Sequence, residues 1–339
     1  MTSSATGTDE KRKEALHKEF ERLGLRGYWQ LRSEQDRPEP RLWRWKDLYP
    51  MLMEAGEVIK LGPEAFRRNI SMQTGAHVFS MGFQVVMPGE TAATHRHTAT
   101  ALRFVVKGGG AFTTSNGEKM VMEPGDLLIQ PNYTWHDHTN DTDEPMIWID
   151  ELDGGLVNFL EANFREDWAE DALQPITKPD GYSRRMLGAV RQQGVAQEDS
   201  AVPFNYKWNE TLQTLEQMAA AGETDPYDGV LLEYTNPVTG GSTFKTMTCY
   251  VQMLRPGEET RLHRHTGTTL YHSIQGTGVT SVDKTDAVDL SWEEKDCFIV
   301  PSWRWHKHRN GSKTEPAYLF SSSDRPILEA AGLHREEAG

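Results

Sequence analysis

The sequence predicts an all-β protein of two tandem small barrels, with an N-terminal helical arm and a partly helical linker. An internal repeat is the first observation behind this. Residues 87–114, MPGETAATHRHTATALRFVVKGGGAFTT, return at an offset of 168 as 254–282, LRPGEETRLHRHTGTTLYHSIQGTGVTSV. A second pair of blocks, GDLLIQPNYTWHDHTN (125–140) and KDCFIVPSWRWHKHRN (295–310), follows at an offset of 170. Matching blocks in the same order in each half mean a duplicated domain. The second observation is the texture of each copy, short apolar runs bounded by Gly and Pro, which suits a small sandwich or barrel.

Taken in order, residues 1–60 form the arm. The run from Asp9 to Leu23 spaces Leu16, Phe20 and Leu23 as a helix does. Trp43–Met53 carries Trp43, Trp45, Leu48, Tyr49 and Leu52, aromatics and aliphatics expected to pack against a barrel or another subunit. Residues 61–165 form the first barrel, with strands expected at Phe83–Met87, Leu102–Val106, Leu127–Gln130 and Met146–Asp150. The linker, 166–228, is polar with a helix from Trp208 to Ala221, and Gly222 and Pro226 mark where the second barrel begins. That barrel spans 229–325 and leaves a tail at 326–339.

Composition narrows the function. The 339 residues suit about two domains. Hydrophobic residues make up 37% and charged residues 25%, a globular balance. Lys plus Arg number 36 against 50 Asp plus Glu, and a net charge of −14 argues against nucleic acid or an anionic membrane as partner. An anionic substrate then needs a local positive site. No run of 18 apolar residues occurs, and the first 20 residues lack the apolar core of a signal peptide. Only Cys249 and Cys297 are present, too few for a disulfide framework or a cysteine zinc site. Both are expected as buried thiols in a reduced, cytoplasmic setting.

Histidines carry the chemistry. Alternate side chains of a strand share a face, so His95 and His97 point one way, as do His136 and His138. Unpaired imidazoles in an apolar interior are costly. Four converging in one barrel, repeated as His263, His265, His306 and His308, predict a metal site.

These blocks resemble the two signature motifs of the cupin superfamily, whose barrel is a double-stranded β-helix. The first motif runs from Gly89 through His95 and His97 to Gly108, with Ala101 where the motif usually has a glutamate. The second is filled by Gly125, Pro131, His136 and Asn140, which makes His136 the third ligand by resemblance. Three neutral imidazoles leave a metal's charge uncompensated, so the site favours chelating anions. Open positions fit the facial arrangement of non-haem iron oxygenases. Zinc can also take three histidines and activate water, and spacing alone does not separate the two. Manganese oxalate-degrading cupins keep the glutamate, which counts against that class.

In finer detail the chain resembles one bicupin family, the gentisate and salicylate 1,2-dioxygenases with their 1-hydroxy-2-naphthoate and substituted-salicylate relatives. The matching pieces are GFQVVMPGE (82–90), HRHTATALRF (95–104), MEPGDLLIQP (122–131), WHDHTN (135–140) and WIDELD (148–153), with HRHT (263–266) and PSWRWHKHRN (301–310) in the second half. The resemblance spans about 75–330. It implies Fe(II) as cofactor, and an aromatic hydroxy-carboxylate and O2 as reactants. The resemblance further implies ring opening between the carboxyl-bearing and hydroxyl-bearing carbons, and a homotetramer. The competing reading is a three-His cupin of another class, a zinc or nickel hydrolase or isomerase, or a non-catalytic metal-binding cupin.

Individual residues follow. Arg103 lies two residues beyond Ala101, hence inward on a regular strand, where a guanidinium can grip a carboxylate in a fork. The family's carboxylate-binding arginine falls there too. By resemblance His138 contacts substrate or oxygen as an acid–base group, Asp150 orients His138, and Gln84 and Gly82 line the pocket. Arg67 and Arg68 sit where the family has a further substrate-binding arginine. Two departures concern the substrate: Ser80 stands where the family often has an aromatic, and NISMQTG (69–75) replaces an asparagine-proline-glycine stretch. Gentisate, salicylate and substituted salicylates therefore stay open. In the second copy His263, His265 and His306 form a possible second metal site. Thr269 holds the vacant glutamate position, Tyr271 replaces Arg103 and Lys295 replaces the motif glycine. Turnover is not expected there, and the second barrel is expected to be mainly structural.

Overall fold

The computed structural model describes residues 38–62, 65–169, 172–186 and 202–339, and in the first 37 only 11–15, 18, 19 and 22. Those few early residues are helical, but Leu16, Phe20 and Leu23, on which the arm's helix was argued, lie outside the described residues. Met1–Arg37 is a unit of its own, and everything below concerns Pro38–Gly339.

Among its described residues, that body forms four antiparallel sheets, two of six strands and two of five. In the first barrel the six-stranded sheet is centred on Ala101–Lys107, Met146–Leu152 and Ser80–Val86. Its five-stranded partner contains the histidine strands Thr91–His97 and His136–Thr139. The second barrel repeats this with Thr269–Gln275, Ala317–Ser323 and Thr248–Leu254 facing His263–His265 and His306–Asn310.

The near-continuous apolar runs have a physical reason: the six-stranded sheets are covered on both faces. On Ala101–Lys107, Val105 points into the first barrel's core with Met120, Leu128 and Trp148. Leu102, Phe104 and Val106 point out, into a cluster that includes Val251, Leu270 and Phe320 of the second barrel. Phe104 stacks on Phe320 at 4.3 Å between ring centroids. Two sheets back to back thus make the largest core, and alternation sends Ala101 and Arg103 inward with Val105.

The strands joining these sheets at their edges come from the arm and the linker, crosswise. Arg41–Trp43 pairs with Cys297–Val300 of the second barrel, and the helix Trp45–Val58 follows. Phe204–Tyr206 pairs with Leu127–Gln130 of the first, and the helix Trp208–Ala221 follows. The predicted helix at 208–221 is thus present, and Trp45, Leu48 and Tyr49 pack against the shared core.

Each helix starts on a buried carboxylate. Asp296 accepts from the Trp45 amide at 2.7 Å and from Arg44 at 3.1 Å. Asp126 accepts from the Trp208 amide at 3.0 Å and from Lys207 at 2.7 Å. Both satisfy amides that a helix start leaves unpaired. Asp296→Ala is expected to destabilise by about 1–3 kcal/mol, since the amide and Arg44 lose their partner. A melting curve superimposed on wild type refutes this.

Glu151, facing outward between the barrels, is fully buried and accepts from Ser322. Burial pushes its carboxyl up to about 8. An acid whose folded-state value is raised above 4.5 is protonated in the folded chain while the unfolded chain has already ionised. Stability is therefore lost as pH rises from about 4.5 to about 8. The melting temperature of Glu151→Gln, whose amide still accepts from Ser322, is expected to gain several degrees on wild type between pH 5 and 9. Parallel curves would contradict this.

Cys249 and Cys297 are free, buried thiols, with values pushed up by burial. No helix among the described residues is long and apolar enough to cross a membrane.

Candidate metal centre

The five-stranded sheet sets the histidines opposite one another. His95 is directly across from His136 in the register. Ring centroids stand 4.2 Å apart for His95–His136, 5.0 Å for His97–His136 and 5.2 Å for His95–His97. One nitrogen from each lies within 4.8 Å of the others.

Their outer nitrogens fix the rings. His97 Nδ1 lies 2.8 Å from the Ala99 carbonyl and His136 Nδ1 lies 3.0 Å from the Thr134 carbonyl. A carbonyl only accepts, so each Nδ1 carries the proton and Nε2 keeps its lone pair for a cation. Burial depresses all three rings, His97 to about 4, with the Arg67 and Arg103 charges lowering it further. They are neutral, ligand-ready imidazoles at neutral pH. The donor set fits a divalent transition metal.

His95 differs. Arg67 Nη2 donates to its Nδ1 at 2.6 Å, and the guanidinium also donates to the Ala93 and Phe66 carbonyls. A ring held to a metal through Nε2 carries its proton on Nδ1 and cannot accept there. Holding a cation through Nε2 would therefore open this contact and free a donor of Arg67 beside it.

The adjacent arginine goes elsewhere. Arg68 is buried, pairs with both oxygens of Glu90 at 2.7 and 2.8 Å, and donates to the Ile59 and Val85 carbonyls. Its donors are spent on the fold.

Arg103 is inward and 2% exposed. It donates to Gln130 at 3.2 Å, and its Nε stands 3.7 Å from Asp150, its register partner. Asp150 therefore does not orient His138 as expected: it accepts from Asn69 at 2.8 Å and pairs with Arg103. The group on His138 is Thr113, 2.9 Å from Nδ1. Gly82 is a matter of space: a Cβ there would lie 2.4 Å from the Asn69 oxygen, so glycine lets Asn69 reach Asp150. Ser80 shares the face of Gly82 and Gln84, at the exposed start of the strand.

Buried polar atoms without a hydrogen bond gather here: Gln84 Nε2, Gln130 Nε2, His138 Nε2, and Arg103 Nε and Asp150 Oδ1, which meet only across 3.7 Å. Native proteins rarely leave such groups unpaired without a ligand's help. The local charge is also positive. Arg67, Arg103 and Arg165 all act on His95, and Arg67 is pushed down to about 9 by burial and then by the other two arginines. Two buried carboxylates, Asp150 and Asp137, act on Arg67 in return, and Asp150 is raised by burial and held back by Arg103 and Asn69.

Thr113, Gln130, Asn69 and Arg165 carry no site role in the sequence motifs. Thr113 was recoverable from the repeat, since Thr280 holds His308 in the same way at 2.9 Å. Arg165 was not; its three-residue strand pairs with His97 from beyond the barrel's last long strand.

The cupin domain family matches residues 82–151 and 250–322, one match per barrel, so the chain is an all-β bicupin. A 5-aminosalicylate 1,2-dioxygenase of Comamonas sp is 40% identical, over 96% of this chain and 90% of that protein. Gentisate 1,2 dioxygenase 1 of Aquipseudomonas alcaligenes is 37% identical, covering 96% of each. A 1-hydroxy-2-naphthoate 1,2-dioxygenase of Nocardioides sp. (strain KP7) is 38% identical over 99% of this chain and 92% of its own. Among solved structures, salicylate 1,2-dioxygenase from Pseudaminobacter salicylatoxidans superposes with a TM-score of 0.86 at 29% identity, over 96% of this chain and 97% of that one. Its gentisate adduct gives 0.87 at 28%, over 96% and 94%. With two cupin barrels in order and relatives matched over nearly their whole length, the chain belongs to the bicupin family of gentisate, salicylate and 1-hydroxy-2-naphthoate 1,2-dioxygenases.

Proposed function

We propose that this protein is an Fe(II)-dependent dioxygenase that opens a hydroxylated aromatic carboxylate between its carboxyl-bearing and hydroxyl-bearing carbons, using O2. The observation that carries this reading is the group of unpartnered buried donors beside three converging imidazoles. Ferrous iron on His95, His97 and His136 supplies open positions and a redox-active centre between ring and O2.

The protein's own groups do the rest. Arg103, its guanidinium steadied by Asp150 and Gln130, takes the substrate carboxylate, and Arg67 adds a second cation. His138, with Nδ1 committed to Thr113, presents Nε2 to hold or move the proton of the ring hydroxyl. The Gln84 and Gln130 amides face the same space with free donors. Burial strengthens these interactions by excluding water. Ser80, a small side chain at the exposed start of its strand and on the face of Gly82 and Gln84, supports acceptance of varied ring substituents.

Two further readings accompany this. The protein works as a homo-oligomer, a tetramer by family resemblance, supported by exposed Phe159, Leu160, Phe164 and Trp168. It resides in a reducing cytoplasm, supported by the two free thiols.

The test is O2 uptake by anaerobically Fe(II)-loaded protein offered gentisate, salicylate, 5-substituted salicylates and 1-hydroxy-2-naphthoate. One ring-opened product per O2 is expected with at least one of them. Bound iron with no uptake across the panel rejects the reading and favours a non-oxygenase cupin.

A further inference from the structure

The second barrel carries a histidine cluster of the same shape. One nitrogen each of His263, His265 and His306 lies within 4.8 Å of the others, with centroids at 4.2 Å for His263–His306 and 5.2 Å for His265–His306. The outer nitrogens are tied as before, His306 Nδ1 to the Arg304 carbonyl at 3.1 Å and His265 Nδ1 to the Thr266 carbonyl at 3.2 Å. His306 Nε2 and His263 Nδ1 are buried and have no partner. Beside the rings is a cavity of about 70 Å³. A single water needs ~10–15 Å³, so a hydrated ion fits.

What surrounds the rings is inverted in charge. In the first barrel Phe66 meets His95 edge-on at 4.9 Å, and the next residue is Arg67. In the second, Tyr227 meets His263 edge-on at 5.2 Å, and the next residue is Asp228. Arg165 pairs in register with His97, whereas Glu336 pairs with His265. Arg103 becomes Tyr271, which packs against His308 at 5.2 Å. Asp228, Glu336 and Tyr271 all line the cavity with His263 and His265. Arg325 lines it too, with its charge engaged by Glu329 at 2.7 Å. The three arginines that act on His95 are thus replaced, two of them by carboxylates.

Charge decides what each cluster prefers. Three guanidiniums repel a cation held by neutral imidazoles and attract an anionic ligand to it; carboxylates do the reverse. We propose that the second barrel is a separate metal site, in which His263, His265 and His306 hold a divalent transition metal under the carboxylates of Asp228 and Glu336. It binds the ion more tightly than the first barrel and excludes aromatic carboxylates. The duplication has divided the labour, one copy keeping an anion-receptive centre and the other a cation-retaining one.

Cobalt(II) titration of the chelator-stripped full chain tests this, followed by absorption and by metal content after dialysis. Wild type is expected to take two Co(II) per chain, and His136→Ala and His306→Ala one each. The ion left in His136→Ala is expected to be held at least about tenfold tighter than the one left in His306→Ala. Asp228→Asn, which keeps every histidine and so guards against misfolding, is expected to weaken that tight step by about 10–100-fold. Added gentisate should perturb the cobalt spectrum of His306→Ala and leave that of His136→Ala unchanged. Saturation of wild type at one Co(II) per chain overturns the second site. Unchanged affinity in Asp228→Asn, or a gentisate response in His136→Ala, overturns its charge logic. None of these failures touches the first barrel's reaction, which the O2-uptake assay reads separately.

Discussion

His136→Ala is expected to abolish ring cleavage and to lower the metal content by one ion per chain. His136 is 2% exposed, sits across the register from His95 and contacts both other rings. Its Nδ1 is tied to the Thr134 carbonyl, so the ring has one orientation and one free lone pair. Sharing the ~10–16 kcal/mol of a structural zinc site over four ligands gives roughly 3 kcal/mol each, or ~100-fold in affinity per ligand lost. The contrast is His138→Ala, which removes no ligand. It should keep its metal and lose ~10²–10⁴-fold in kcat, the range for a lost acid–base group. An active, fully loaded His136→Ala protein would sink the ligand assignment, and metal loss in His138→Ala would mean that His138 holds the ion.

The histidines were legible because a motif repeated at fixed offset announces itself, and strand alternation then points the ligands. The same alternation carried Arg103 inward and Leu102 and Phe104 outward to the shared core. What escaped has a common physical cause. Arg41–Trp43, Arg165–Asp167 and Glu336–Ala338 are three-residue edge strands whose partners lie far away in sequence. Such strands are too short for a period-two pattern, and their pairing is decided by open sheet edges, which no local window reveals. Arg67 and Arg68 illustrate the limit at single-residue scale. Identical side chains one position apart turn to opposite sides, and the Glu90 carboxylate decides which of them leaves the site. Asp150 illustrates another. Its strand and facing direction were readable, but whether it met His138 or Arg103 depended on the register between strands.

Arg103→Ala is expected to cost ~10²–10⁴-fold in kcat/KM with metal content unchanged. A charge-assisted fork on a desolvated carboxylate is worth about 2–5 kcal/mol when one side is truncated. Part of that loss falls on Asp150, which keeps a buried charge without its cation. Burial already raises the Asp150 carboxyl, and Arg103 is the largest influence opposing it. Without the guanidinium the carboxyl rises further and takes up a proton, so the variant's stability deficit should shrink as pH falls. Arg103→Ala combined with Asp150→Asn should then recover melting temperature but not kcat/KM, separating the arginine's grip on substrate from its role as counter-ion. Arg103→Lys tests the geometry: an ammonium restores the charge but offers no planar fork, so it should rescue stability more than turnover. If Arg103→Ala loses its metal, the arginine supports the ligand set. If its kinetics match wild type, or if the double variant regains turnover, the carboxylate is held elsewhere, and Arg67, freed from His95 when the metal is held, becomes the group to replace next.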